Sequence, residues 1–359
     1  MGSAYRVGVV GLGVISRVYL ETLAAAADVE ITAVADLDPA RAEAVAAGLP
    51  AARALSVDGL LTSDEVDIVL NLTIPAAHAE IALAAIAAGK DVYGEKPLAA
   101  SFADAEAVVR AAAAAGVRLG CAPDTVLGTG TQTARAFVDA GEIGRPLAAT
   151  AVMATAGHER WHPNPDFYYQ PGGGPLLDMG PYYVTALVQL LGPVAWVIGA
   201  GSQLRSERVI AQGPRAGEVV PVAVDSHVTG ILQHVSGALS TITTSFDTVA
   251  STAPPIEVHG ETASLIVPDP NNFDGAVSVR RLGSDAWEDV APLAGIAGAA
   301  RGTGLLDMLR APSGVAPRAS GDMGLHVLEV MTGLLESAGT GSRVEIRTRP
   351  ERPSLVPLG

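Results

Sequence analysis

Three short stretches of the chain carry residues whose types and spacing suit chemistry. Gly11-x-Gly13-x-x-Ser16 follows an apolar run at residues 6–10 and precedes an Ala-rich helical segment. Gly11 allows a tight turn, Gly13 lets the backbone approach a pyrophosphate, and the small Ser16 permits close packing of helix on strand. The helix opening there offers free N–H groups and the positive end of its dipole, so Gly11, Gly13, Val14 and Ile15 are expected at a dinucleotide's phosphates. Asp36 closes a second apolar run 25 residues after Gly11, near the offset of the acid that accepts hydrogen bonds from an adenosine ribose. A carboxylate there repels a 2′-phosphate, and Leu37 after it welcomes none, so NAD is expected ahead of NADP. Arg41 on the next helix keeps NADP as the lesser alternative. A plain glycine turn, with Asp36 capping the next helix, is the non-binding reading.

The second stretch is Glu95-Lys96-Pro97. The chain has 21 Arg but only two Lys, Lys90 and Lys96, so a lysine placed after a strand calls for a reason. Ligands of open α/β sheets gather at the carboxyl ends of strands, where Lys96 falls. A compact ammonium can hydrogen-bond a substrate hydroxyl and lower the pKa of a neighbouring acid, which a guanidinium does poorly. Pro97 biases Lys96 towards an extended backbone. On these residues alone, a solvated lysine in a strand-to-helix turn reads equally well.

The third stretch, residues 157–170, is the chain's densest mixture of aromatic and polar side chains. Aromatic faces with planar polar groups suit a sugar, so Trp161 and His162 are expected on the substrate side. His162 also stands as an alternative proton relay. Two histidines four apart with Glu159 and Asp166 nearby resemble a metal set, but the prolines break any helix there and no metal is expected. Asp124 opens the loop after the sixth strand and is a further substrate-side candidate, or a turn cap.

These residues need a frame. Strand-like and helical runs alternate through residue 121, the rhythm of a parallel sheet with helices on both faces. Beyond residue 147 come sequential β-type runs without intervening helices, interrupted by a helix at 176–191 and closed by one at 322–338. The expected fold is α/β: an N-terminal doubly wound Rossmann domain over 1–123, then an α+β domain over 124–359 with an open, mainly antiparallel sheet. Residues 292–320 are Gly/Ala/Pro-rich and read as loop with one helical turn.

Composition limits the partners. The 359 residues carry a net charge of −15, which opposes binding to nucleic acid or to an anionic membrane surface. One cysteine excludes an internal disulfide framework, so a reducing cytoplasm is the expected compartment. The N-terminal run has no basic region ahead of its apolar residues, so no signal peptide is expected, and no apolar stretch reaches about 18 residues, so no membrane span is either.

Glu95-Lys96-Pro97, with Thr73-x-Pro75-x-x-His78 and Gly89-Lys90-Asp91-Val92-Tyr93 before it, resembles the glucose–fructose oxidoreductase/inositol dehydrogenase (Gfo/Idh/MocA) family. So does residues 172–182, GGGPLLDMGPY, which is similar to that family's active-site helix and the glycines before it. The resemblance implies a Rossmann domain that also uses Thr73, Pro75, His78, Glu95 and Lys96 at the cofactor. It implies redox at a secondary alcohol or ketone carbon of a sugar, polyol or related cyclic alcohol. It further implies a dimer or tetramer formed through the C-terminal sheet. Many members place Asp and His four residues apart on that helix; here the pair is Asp178 and Tyr182, as in the branch where Tyr takes the acid/base role. Thr185 replaces a relay acid of many relatives.

Elementary chemistry agrees with that role. Positions i and i+4 share a helix face, so Asp178 and Tyr182 point the same way. A free phenol titrates near 10, and a neighbouring ammonium such as Lys96 would lower that value towards what a general base needs. Lys96, Tyr182 and Asp178 are therefore the expected catalytic set, and the same three are expected to touch substrate. Two other readings remain at this point. One is a retained NAD used for transient oxidation in net non-redox sugar chemistry; the other is a cofactor-sensing protein without turnover.

Overall fold

The computed structural model describes residues 4–312 and 314–359; the head of the N-terminal run (residues 1–3) and Ser313 in the 292–320 stretch lie outside them. Along the chain come β1 (Tyr5–Val10), α1 (Ser16–Ala24), β2 (Val29–Ala35), α2 (Pro39–Ala46), β3 (Arg53–Ala54), α3 (Val57–Thr62), β4 (Ile68–Asn71), α4 (Pro75–Ala87), β5 (Asp91–Gly94), α5 (Phe102–Ala115) and β6 (Leu119–Cys121). There follow α6 (Thr129–Asp139), β7 (Pro146–Ala154), α7 (Pro175–Leu191), β8 (Val194–Ser202), β9 (Glu207–Val209), β10 (Val219–Pro221), β11 (His227–His234) and β12 (Leu239–Ser245). The last are β13 (Ile256–Gly260), β14 (Ala263–Val267), β15 (Val277–Arg281), β16 (Glu288–Val290), α8 (Thr303–Arg310), α9 (Gly321–Thr340) and β17 (Val344–Glu345). No helix among the described residues is long and apolar enough to cross a membrane.

Two compact units result: Met1–Asp124 with Ala299–Leu325, and Thr125–Gly298 with His326–Gly359. The first holds a six-stranded parallel sheet in the order β3-β2-β1-β4-β5-β6, as expected of a doubly wound Rossmann domain. Short runs such as VGVV and IVLN are buried on both faces, because helices cover both sides of a parallel sheet. Ser101 caps α5 at the Asp104 N–H, and Gly116 ends it in the left-handed region.

One segment departs from the sequence reading. Residues 299–325, expected with the second domain, belong to the first unit. The expected single turn within 292–320 is the eight-residue α8, whose Leu305, Met308 and Leu309 are buried with Val7, Val9, Leu70 and Tyr93. Glycine and alanine mask this helix in the sequence. What starts it is remote: the Asp124 carboxylate accepts from the N–H groups of Gly302 (2.8 Å) and Gly304 (3.1 Å), 178 and 180 residues away.

The second unit is built on a nine-stranded sheet, β16-β15-β14-β13-β7-β12-β11-β8-β17, in which only β7 and β12 pair in parallel. Along β11, Val228, Gly230, Leu232 and His234 turn inward while Thr229 and Ile231 face out, the period-two pattern of a sheet with one buried face. α7 packs on β7, β11 and β12, with Leu187 and Val188 fully buried. β9 and β10 form a separate two-stranded ribbon.

Candidate active site

In the first unit the functional candidates stand at the carboxyl ends of β1, β2, β4 and β5, a single edge of one parallel sheet. Gly11 has φ +91°, and a Cβ there would sit 2.7 Å from the backbone of Leu72 and Thr73. Both facts demand glycine. Gly13 meets nothing within 4 Å, so the outer side of the turn is open. The Ser16 hydroxyl closes the turn on Gly13 O at 2.7 Å, and no side chain caps α1. Asp36 Oδ2 accepts from Leu12 N at 2.8 Å, tying the acid to the glycine turn, and Arg41 Nη1 lies 3.2 Å from Oδ1. Burial opposes ionisation, but the backbone N–H groups of Asp38 and Leu12, with Arg41, outweigh it and hold the Asp36 carboxyl below its ordinary value.

Val14 and Leu37 are each 95 % exposed beside this turn, and Ile74 stands exposed just before α4, in the loop after β4. An apolar rim around an uncapped helix start, an open glycine and an anchored carboxylate fits a dinucleotide. Gly11→Ala is expected to destabilise the protein by about 2 kcal/mol through positive-φ strain and the backbone clash. It should also abolish measurable NAD binding; thermal unfolding and a fluorescence titration with NAD check the two effects.

The loop after β4 is held by Asn71, which the sequence reading missed. Its Oδ1 accepts from the Thr73 hydroxyl at 2.7 Å and its Nδ2 donates to His78 O at 3.0 Å. The buried His78 ring lies between Pro97 O (2.7 Å) and Thr73 O (3.0 Å), joining that loop to the turn after β5. Glu95 is turned to the protein: Oε1 accepts from the Tyr19 hydroxyl at 2.8 Å and Oε2 from Lys96 N at 2.9 Å. Thus the backbone on both sides of Lys96 is fixed. The other lysine is committed elsewhere, Lys90 Nζ donating to Ser63 O and Val66 O at 2.7 Å each.

Asp124 does not face solvent. It is fully buried at the start of α8, 3.7 Å from Arg301 Nη1, and burial pushes its carboxyl up to about 6. The geometry is that of a helix cap, so the expected contact with substrate is not what this side chain makes.

In the second unit, Pro175 starts α7 and Asp178 lies in its first turn. Pro181 lacks the N–H that would pair with the Leu177 carbonyl, and Tyr182 and Tyr183 after it are buried. Tyr183 donates to Asp269 at 3.3 Å and packs. The Asp178 Oδ2 lies 3.0 Å from His158 Nε2, and Trp161 Nε1 donates to His158 Nδ1 at 3.2 Å. His162 stands next to Trp161, ring centroids 5.3 Å apart, its Nδ1 accepting from Asn164 N. Burial holds the His162 pKa below its ordinary value. The structure therefore gathers Asp178, Trp161 and His162 around His158, a residue the sequence reading named within the loop without giving it a role. Its density of polar and aromatic neighbours was the available signal. Among the described residues no group of three or more His, Cys, Asp and Glu side chains could hold a metal ion.

Comparison with known proteins agrees with this architecture. Residues 5–122 match the family model described as an oxidoreductase family with an NAD-binding Rossmann fold, and residues 131–266 match the GFO/IDH/MocA C-terminal domain. Inositol 2-dehydrogenase 3 of Saccharopolyspora erythraea is 40 % identical over 154 residues, which is 41 % of this chain and 44 % of that protein. The chain thus spans less than half the length of this relative. The 1,5-anhydro-D-fructose reductase of Ensifer adhaerens is 29 % identical over 82 % of this chain and 84 % of its own. A levoglucosan dehydrogenase solved with NADH and L-sorbose superposes with a TM-score of 0.80 at 21 % identity, over 97 % of this chain and all of that one, a likeness of fold. The chain belongs to the Gfo/Idh/MocA oxidoreductase family, and its N-terminal part is an NAD-binding Rossmann domain.

Proposed function

We propose that the protein is an NAD-dependent dehydrogenase or reductase acting on a secondary alcohol or ketone carbon of a sugar, polyol or related cyclic alcohol. The observation that carries this reading is the shared sheet edge of the first unit. There the glycine turn with its anchored Asp36 and the backbone-fixed Lys96 follow strands of one parallel sheet. Gly11, Gly13, Val14 and Ile15 would hold the pyrophosphate and Asp36 the adenosine ribose, with Thr73 and Pro75 lining the same edge. His78 and Glu95 support that edge from within. Bound NAD supplies the acceptor or donor for the carbon-bound hydrogen. Lys96 and Tyr182 are the groups able to hold and pass the hydroxyl proton, and Asp178 accepts a hydrogen bond from a neighbouring substrate hydroxyl. Trp161 offers an aromatic face to the apolar side of the ring, and His162 a hydrogen-bonding edge.

Absorbance at 340 nm, read with purified protein, NAD or NADP, and a panel of sugars, inositols and their keto derivatives, tests the proposal. Turnover with NAD and one such class supports it. NAD released only on denaturation, with no net absorbance change, supports retained-cofactor chemistry in its place, and no cofactor affinity at all sinks both.

We further propose that the outer face of the nine-stranded sheet joins copies of the chain. Ile231 pairs directly with Ile198 on that face, with Leu239 exposed on the adjoining strand β12. Exposed isoleucine and leucine side chains together on one sheet face favour association. Ile198→Glu with Ile231→Glu should convert a dimer or tetramer to monomer in light scattering; an unchanged mass would remove this face from the interface.

A further inference from the structure

An imidazole reaches Asp178 although the position one helical turn later holds Tyr182. It comes from the loop, as His158, and its hydrogen bonds define its state. An indole N–H can only donate, so Trp161 Nε1, 3.2 Å from His158 Nδ1, makes that nitrogen an acceptor. In the neutral ring the proton then sits on Nε2, directed at Asp178 Oδ2 3.0 Å away. The ring has little freedom to leave this pose. Trp161, Tyr168 and Phe246 pack against it with centroids 5.0, 4.5 and 4.4 Å away.

The backbone beneath it is also held. His158 N donates to the Tyr169 hydroxyl at 3.1 Å, and that hydroxyl donates to Glu159. Glu159 pairs with the buried Arg208 of β9 at 3.4 Å, and Arg208 reaches Asp247 and Phe246 O. Buried ion pairs survive only with their hydrogen bonds well made, and breaking one partner is strongly destabilising. This network sits directly beside His158 in the chain, and it joins the loop to the ribbon and to the end of β12.

We propose that His158 is a positioning residue for Asp178, aiming and holding the carboxylate through an Nε2–H whose tautomer Trp161 fixes. The proposal rests on the dehydrogenase reading for what Asp178 then does, since an oriented carboxylate is useful here as an acceptor for a substrate hydroxyl. In this site the imidazole that helps Asp178 comes from a loop, so substrate-side loop and acid are set as one unit. A neutral donor leaves the carboxylate charged and keeps acceptor capacity on it.

The test has two arms. In protein labelled with 15N at histidine, long-range 1H–15N correlation reads the tautomer, with the His158 signals assigned by their loss in His158→Gln. We expect Nε2–H in the unaltered protein and a tautomer mixture in Trp161→Phe. In the kinetic arm, His158→Ala should lower kcat about 100-fold with KM within about threefold, while His158→Gln, whose amide donates from near the Nε2 position, recovers most of it. Unfolding midpoints of both variants separate this from a loss of fold. An Nδ1–H tautomer, wild-type kcat in His158→Ala, or no recovery in His158→Gln would each overturn the proposal. The tautomer arm needs no turnover. An inactive wild-type protein with the Nε2–H tautomer would count against the dehydrogenase reading and still support the hydrogen-bond chain.

Discussion

Lys96→Ala is expected to lower kcat about 10³-fold, roughly 4 kcal/mol of transition-state stabilisation, while the NAD dissociation constant moves by no more than about threefold. The size is that of losing the proton transfer proposed for Lys96, from a backbone that is held in place. Its N–H is bound by Glu95, whose other oxygen is held by Tyr19 from α1, the helix that starts at the glycine turn. The carbonyl of Pro97 is met by His78. The backbone is thus fixed on both sides of a side chain that only a lysine can replace in kind. Lys96→Arg should not restore turnover, because a guanidinium keeps its proton and spreads its charge over a plane. Tyr182→Phe separates the roles: a comparable loss assigns the moving proton to the phenol, whereas wild-type turnover leaves it to Lys96. Steady-state kinetics with fluorescence titration of NAD decide the matter. Turnover by Lys96→Ala within about tenfold of the unaltered protein would remove the lysine from the chemistry.

The local geometry legible from sequence is that set by neighbours in the chain. Gly11, Ser16 and Asp36 could be read because a strand, a turn and a helix fix their relation within 25 residues. Lys96 stood out because composition made a lysine unusual. The parallel order of the first sheet and the alternation along β11 follow from apolar periodicity, which is likewise local. What the sequence hid depends on distant contact. Asp124 after the sixth strand read as a substrate-side residue or a local cap, and the helix it caps lies 178 residues on. That same helix was legible only as a single turn in a Gly/Ala/Pro-rich stretch, since the core it packs on is supplied by β1, β4 and β5. His158 lies 20 residues from Asp178, and nothing in the spacing favoured it over His162, four positions away in the same loop. The choice was made by Arg208, Glu159 and Tyr169, three residues brought together only by the fold.

Acidification should loosen the second unit ahead of the first. His234 is buried with Nδ1 2.6 Å from Gly192 O and Nε2 2.8 Å from Ser240 Oγ, and burial presses its pKa down to about 4. His326 on α9 is likewise pressed to about 4 by burial, against the pull of Glu329; its Nε2 accepts from Val194 N at 3.0 Å, so a proton there would face a donor. Unfolded, each titrates near its ordinary 6.5, so between 6.5 and 4 the unfolded chain holds more protons and stability falls as pH falls. From pH 7 to pH 5 the loss is about 2 kcal/mol for each histidine, about 4 together. Asp124 in the first unit has the opposite sign. Its pKa is raised to about 6, so the folded state binds the extra proton between 6 and 4. That unit gains about 1 kcal/mol over the same interval. Opening free energies from amide hydrogen exchange at pH 7 and pH 5 should therefore drop in β8, β11 and the later turns of α9 and hold in β1 and β4. His326→Gln, which keeps a donor and an acceptor but cannot titrate, should flatten about half of the drop. Equal losses in both units, or a second unit steadier at pH 5, would mean that these buried imidazoles are not what sets the acid limit of the fold.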